Sequence, residues 1–436
     1  MNILKEVLKH EVYPAMGCTE PASVALCAAH AAELLGEEPR EALFLLDPGT
    51  YKNGMGVTLP NTGGRRGNIL AAAIGLLLPR PELKMELLRA ATPKTVSRAE
   101  KLASGGVVRM SVLPQEKRLR VEARLKGRRH SVVCVIADSH THLALAEKDG
   151  KSVSKAARNA AGKASSYKAL LRNATLAQMI SLADRMDEED LRWIRKGVEM
   201  NLAAAEEGVK LRKVGFYLKD LLRKGYLLDD AFSSSKILAA CATDARMDGR
   251  AVPVMSSGES GNQGIVAILV PYNAGKALRV PEKTIYRSIG LSHLLNAYVK
   301  LFTGGLAPIC GCAIAAGVGA SAAIVYQKRG RDLMAVSLAV NNVISDLGGM
   351  LCDGAKSGCA LKVVSSADSA IRSAFMAMHH YGITELEGFV GRTAEQTIQN
   401  LGRISTVGMR EVDHTIVDIM LDKQSRPAKK RPARKV

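Results

Sequence analysis

Residues 119–125 alternate apolar and polar side chains throughout, so one face of that segment is expected to be buried and the other wet. After a basic turn at 126–129, residues 131–137 supply its expected hairpin partner. Residues 42–46 and 55–59 are short apolar runs that predict two more strands, and the glycine run at 63–67 leads into a predicted helix over 69–78. Residues 37–154 therefore read as a small α/β domain. On either side the period becomes helical. Ile3, Leu4, Val7 and Leu8 start an amphipathic turn, and 21–35 is an alanine-rich run ended by Gly36, with Thr19 or Glu20 as its expected cap. Further on, Leu191, Ile194, Val198, Leu202 and Val209 share one face, and Asp187 three residues before Asp190 is a capping signal. More helices are predicted over 212–223, 283–300, 313–327, 333–344 and 367–378, separated by glycine-rich loops. The expected fold class is α+β: a mainly helical domain over 155–423, interrupted near its start by the small α/β domain, with residues 1–36 packing on the helical part.

Composition adds limits. A chain of 436 residues suits two domains, and 47% hydrophobic content is enough for a large core. Aromatics are scarce, with Trp193 the single tryptophan, so small residues must fill the helix contacts. Residues 309–326 carry no charge, but they are mostly alanine and glycine and read as a buried helix rather than a membrane span. Lys5, Glu6 and Lys9 interrupt the start of the chain, which argues against a secretory signal. Eight cysteines are too sparse for a disulfide scaffold, so the expected compartment is the cytoplasm. The net charge of +19 is concentrated in 124–129, 210–213 and a tail over 424–436 that contains Pro427 and Pro432 and is expected to be disordered. No nucleic-acid-binding motif accompanies it, so nucleic acid is not an expected partner.

Four cysteines change the picture. Cys310-Gly-Cys312 and Cys352-Asp-Gly-Ala-Lys-Ser-Gly-Cys359 gather thiols at glycine-rich loops, a pattern that suits a metal better than disulfides. Three ligands would leave one metal position open as a Lewis acid. In a continuous helix Cys352 and Cys359 would lie about 10 Å apart along the axis, so Gly354 and Gly358 must break it for the two to meet. Cys310 and Cys312 are expected to point to opposite sides of a helix, one ligating and one packing. Cys312 is favoured because it opens a small-residue helix. The plainer alternative is that all four are small buried hydrophobes.

Several motifs then occur in order: Met16-Gly-Cys-Thr-Glu-Pro21, Asp138-Ser-His-Thr141, Asp244-Ala-Arg-Met247, Pro253-Val-Met-Ser256 with Ser260-Gly-Asn-Gln-Gly264, Leu291-Ser-His293 and Gly349-Met-Leu-Cys-Asp-Gly-Ala-Lys356. Together they resemble the L-cysteine desulfidases, relatives of the iron–sulfur L-serine dehydratase alpha chains, over residues 16 to about 362. The Gly-Pro-Ser-Ser-Ser-His-Thr loop of the dehydratases is reduced here to Ser139-His-Thr141, which favours the desulfidase branch. The resemblance implies a [4Fe–4S] cluster on Cys312, Cys352 and Cys359 and a small amino-acid substrate. The implied reaction is β-elimination of L-cysteine to hydrogen sulfide, pyruvate and ammonia, with Cys18 as candidate base. Such a base is expected to have a depressed pKa beside cationic groups. Ser260, Asn262 and Gln263 suit a substrate carboxylate. Ser139, His140 and Thr141 stand where a strand ends, and Lys356 lies between two candidate ligands. Asn61 and Thr62 are weaker candidates for the opposite wall. Glu259, where the family prefers glycine, is expected to add negative charge there.

Three rivals compete. L-serine differs from L-cysteine by one atom in the leaving group. A pyridoxal-phosphate enzyme would use Lys236 of Ser235-Lys236. A non-catalytic cluster or zinc sensor would bind nucleic acid through the tail. A homodimer is the default assembly.

Overall fold

Asn2 accepts from the amides of Leu4 and Lys5 and so opens helix α1 (Ile3–Glu11), which buries Leu4, Val7 and Leu8. The computed structural model describes residues 2–116, 118–153 and 166–425. The boundary read at residue 154 and the basic tail beyond residue 425 lie outside them. Strand β1 (Pro14–Ala15) comes next, followed by α2 (Thr19–Leu35), which Gly36 ends in the left-handed region at φ 70°. The residue at the cap of α2 is Cys18, not Thr19 or Glu20, and no side chain bonds the first amides.

Six strands form the sheet: β2 (Glu41–Leu46), β3 (Val108–Val112), β4 (Arg120–Lys126), β5 (Ser131–Ala137), β6 (Leu143–Lys148) and β7 (Lys151–Ser152). Their order is β3-β2-β4-β5-β6-β7, with only the β2–β3 pair parallel. The alternating segment pairs with its expected partner, Ala123 opposite Cys134. Helices α3 (Pro48–Gly54), α4 (Asn68–Leu77) and α5 (Pro93–Ser104) complete this part. The expected strand at 55–59 does not form. Asp47 accepts from Thr50 N at 2.9 Å with Pro48 in the first turn, which seeds α3 instead, and Thr58 makes only an isolated bridge to Arg66. Residues 1–36 divide between two cores: α1 packs with the helices, whereas α2 packs with the sheet and α4. Alanine on every side of α2 lets it lie close to both.

The second core is helical: α6 (Leu176–Asp184), α7 (Glu188–Gly208), α8 (Val214–Arg223), α9 (Ala231–Met247), α10 (Gly261–Ala277), α11 (Glu282–Thr303), α12 (Ala315–Arg329), α13 (Leu333–Leu347), α14 (Cys359–Met378), α15 (Ala394–Arg403) and α16 (Val412–Ser425). Asp187 and Asp190 form the capping box that opens α7. Small residues bring α12 against α11, and a Cβ on Gly319 would lie 2.4 Å from the Ser292 carbonyl oxygen. The α+β class holds. Among the described residues no helix is long and apolar enough to cross a membrane. Strand β8 (Val254–Met255), between α9 and α10, pairs antiparallel with β1. That short ladder places the loop before α2 beside the loop before α10.

Candidate functional site

The two cysteine loops are laced together by backbone. Ile309 and Leu351 form an isolated antiparallel bridge, Cys310 N donates to Met350 O at 2.8 Å, and Cys352 N donates to Pro308 O at 2.7 Å. The chain turns through 311–314 before α12 begins, so Cys310 and Cys312 are not on opposite sides of a helix. Both line one cleft. A hydrogen bond from Cys312, opposed by burial and helped by Lys362, holds the Cys310 thiol well below its usual range. Cys359 is the first residue of α14, which starts eight residues earlier than the sequence pattern suggested, and its thiol lies 3.7 Å from Gly354 O. Gly354 has φ 94°, and a Cβ there would meet Lys52 O at 2.6 Å, so the turn between Cys352 and Cys359 needs glycine.

The opposite wall comes from the start of α2. Cys18 is buried and packs with Val57, Met247 and Cys359. Its Sγ donates to Glu20 Oε2 at 2.8 Å, and Asn53 Nδ2 donates to Oε1 at 3.0 Å. The depressed thiol expected of Cys18 is not found. Burial, and then the Glu20 carboxylate, push it well above the ordinary range. Burial also acts to raise Glu20, but His140, with the bonds from Cys18 and Asn53, outweighs it and holds the carboxyl low. His140 stands between two carboxylates, Nε2 3.9 Å from Glu20 and Nδ1 3.2 Å from Glu259.

Glu259 occupies the left-handed region at φ 63°, where glycine is favoured, and its carboxylate is caught between His140 and Lys168. Against burial, His140, Lys168 and Lys300 bring its pKa to about 2. The negative charge expected here is therefore already paired. Ser260 caps α10 with no side-chain bond, and buried Asn262 and Gln263 open the helix. Arg246 Nη1 donates to Asn262 Oδ1 at 3.0 Å, and Lys300 donates to Gly258 O.

Cys18, His140, Ser260, Asn262, Gln263, Cys312, Cys352 and Cys359 thus line one cleft of about 810 Å³, part of it open to solvent. Three candidates stand elsewhere. Ser139 and exposed Thr141 flank His140 outside the lining, and Lys356 pairs with Asp353. Asn61 and Thr62 are used structurally, Asn61 donating to Arg89 O and Thr62 to Leu59 O in its own turn. Lys236 pairs with Asp368 away from the cleft, which removes the basis for a Schiff-base site there. Sequence reasoning missed Glu20, Lys52, Asn53, Arg246, Lys300 and Lys362 in the lining, which also takes in Cys310, the thiol expected to pack rather than ligate. Glu20 and Arg246 lay inside the quoted motifs and were recoverable; the lysines arrive from segments with no motif.

Among the described residues no three His, Cys, Asp or Glu side chains stand close enough together to hold a single metal ion. The donor set is instead four thiols spread along two loops, the ligand chemistry of an iron–sulfur cluster, which spans several metal atoms. The fit is one of donor type and of shared cleft.

The model of the family described as serine dehydratase alpha chain matches residues 83–418. A UPF0597 protein of Elusimicrobium minutum is 58% identical over 423 residues, covering 97% of this chain and all of that one. Another, of Geobacter sulfurreducens, is 54% identical over 426 residues, covering 98% and 99%. A third, of Caldanaerobacter subterraneus, is 39% identical over 97% of this chain and 99% of its own. No solved structure matches. The family match takes in both cysteine loops and the α10 loop, and the relatives extend it through Cys18 and Glu20, so the chain belongs to the serine dehydratase alpha chain family.

Proposed function

We propose that this protein is a β-eliminating lyase that removes sulfide from L-cysteine, with a [4Fe–4S] cluster held by Cys312, Cys352 and Cys359. The observation that carries the reading is the meeting of Cys18 with the cysteine loops: it shares a small buried cluster with Cys359 and lines the same cleft as all four clustered thiols. When bound, the cluster supplies an electron-poor site that stabilises charge developing on the substrate. Membership of the serine dehydratase alpha chain family supports a lyase and an iron–sulfur context. All eight cysteines are free, which suits a reducing cytoplasm.

The chain's own residues handle the proton. The substrate Cα–H is aimed at Cys18, whose thiol passes its proton to Glu20 as it takes the new one. This replaces a free thiolate base with a two-residue relay: the raised thiol and the low carboxyl fix its resting state as thiol and carboxylate, and the uphill transfer to Glu20 is drawn on by uptake of the substrate proton. The Cα electrons form the Cα–Cβ double bond, the Cβ–S bond breaks, and the sulfur leaves with the electron pair as hydrosulfide, which takes the proton held on Glu20, departs as hydrogen sulfide and restores the carboxylate. The 2-aminoacrylate left behind tautomerises and hydrolyses to pyruvate and ammonia, with no net redox change. Asn53 and His140 hold Glu20 in its ionised, correctly turned state.

A second reading, L-serine as substrate, is favoured by the description of the matched family. Anaerobic purification, with iron and acid-labile sulfide counted and pyruvate assayed from both amino acids, separates the two. Equal sulfide and pyruvate from L-cysteine, at a higher kcat/KM than for L-serine, is the expected result. Pyruvate from L-serine alone would move the assignment to dehydration, and a cluster-loaded protein inert to both would sink the reaction class.

A further inference from the structure

Arg246 lies in the last turn of α9 with only 2% of its surface exposed, in the lining of the cleft. A buried guanidinium ordinarily sits against a carboxylate, because an unpaired charge away from water is strongly unfavourable. Here Nη1 bonds the neutral Asn262 side chain, Nε has no partner, and among the described residues no carboxylate pairs with it. Glu20 and Glu259, the two carboxylates of the lining, are committed to Cys18, Asn53, His140 and Lys168.

The guanidinium also lies against the start of a 17-residue helix. A Cβ at Gly261 would fall 2.3 Å from Arg246 Nε. The first bond within α10 runs from Gly264 N to Ser260 O, so the amides of 261–263 lie before the helical ladder, where the helix favours negative charge. Two acceptors of the same lining, Asn53 Oδ1 and Gln263 Oε1, are buried without a donor, and Gln263 is the one that stands on the first turn of α10, next to the Asn262 that Arg246 bonds.

We propose that Arg246 is the carboxylate anchor of the cleft, and that Gln263 Oε1 receives the ammonium of the same ligand. The ligand class is then a free α-amino acid: the orphaned Arg246 donor and the orphaned Gln263 acceptor meet its two charged ends. With the carboxylate on Arg246, Cα is presented to Cys18 and the β-substituent is left to face the cysteine loops. Arg246 is thus a positioning residue that the sequence motif contained but composition could not single out. The inference rests on the proposed amino-acid reaction for its ligand, but binding tests it without turnover.

L-Alanine and L-alaninamide differ in the carboxylate and cannot undergo elimination. Equilibrium binding of each to the full-length, anaerobically isolated protein reads the anchor directly. The expected preference for the acid is about 30-fold or more in the unaltered protein, as for a charge-assisted contact in a buried site. Arg246→Gln should bring it to about threefold or less, and Arg246→Lys should fall between. Gly261→Ala keeps the charge but presses a methyl onto Nε, and should follow Arg246→Gln even if that variant folds poorly. Equal binding of acid and amide by the unaltered protein would overturn the anchor. So would a full preference in Arg246→Gln at an unchanged melting temperature. Acid preference without turnover of any amino acid would sink the lyase reading and leave the anchor. Sulfide release with a preference insensitive to Arg246 would do the reverse.

Discussion

Lys52 Nζ donates to the carbonyl of Cys352 at 2.7 Å and to Asp413 Oδ1 at 2.5 Å, from a side chain only 2% exposed. A lysine of α3 therefore fixes a candidate cluster ligand of the helical part and holds down the C-terminal helix α16. Lys52→Met should cost about 1–3 kcal/mol, since it leaves a carbonyl and a partly buried carboxylate without their donor. Iron retained per chain should fall with it. Asp413→Asn should be milder on both counts, because the Cys352 contact survives. Denaturant midpoints and iron counts on the same preparations check this. An unchanged iron content in a destabilised Lys52→Met protein would mean that the lysine holds α16 and not the ligand loop.

The cysteines themselves should separate into classes. Cys312→Ser, Cys352→Ser and Cys359→Ser are each expected to lose most of the visible absorbance and acid-labile sulfide. Cys310→Ser should keep the cluster, with a shifted spectrum from loss of the hydrogen bond between neighbouring thiols. Because both Cys310 and Cys312 face the cleft, the reverse result for that pair would exchange their roles without disturbing the site.

Much of the architecture was legible because it follows local rules. Strand alternation at 119–125, the Gly36 stop and the Asp187–Asp190 capping box all appear where the pattern put them. The failures have physical causes. An apolar run at 55–59 was indistinguishable from a strand until Asp47 and Pro48 had committed the preceding residues to a helix. Cys310 and Cys312 were judged by helical geometry, whereas they lie in the turns before α12. Cys18 was expected to sit among cations, yet its nearest ionisable neighbour is Glu20, two residues on. Lys52, Lys300 and Lys362 enter the cleft from distant segments, and a single sequence carries no signal for such long-range placement.

Cys18→Ser and Glu20→Gln should each lower kcat about 100-fold or more, the usual scale for losing proton transfer by a positioned group, with little change in iron content. Combining them should cost scarcely more than either alone, because the two act as one relay. Asn53→Ala, which removes only a bond that orients Glu20, should fall well short of that loss. A Glu20→Gln protein with full turnover would leave Cys18 without its proton acceptor and end the relay.

Acid stability should have two limbs. Burial lowers His293 to about 3, and its Nδ1 is tied to Ser257 Oγ at 2.8 Å. The unfolded chain takes up that proton near pH 6.5 and the native one does not, so this contribution is whole above 6.5 and is lost as pH falls towards 3. Glu259, held at about 2, adds a loss between its ordinary value of 4.5 and 2. Asp244 opposes them: burial raises it to about 6, so the native state gains on acidification from 6 to 3.8 and the gain stops there. Stability should therefore decline gently from pH 6.5 to about 4.5, where His293 and Asp244 partly cancel, and steeply below. The His293 contribution over its whole window is on the order of 3–5 kcal/mol. His293→Asn should remove it, so that denaturant midpoints for that variant rise between pH 6 and 4.5 before the Glu259 loss sets in. A His293→Asn profile parallel to that of the unaltered protein would show that the imidazole is already protonated in the native state, and that the buried Ser257 contact is made by a cation.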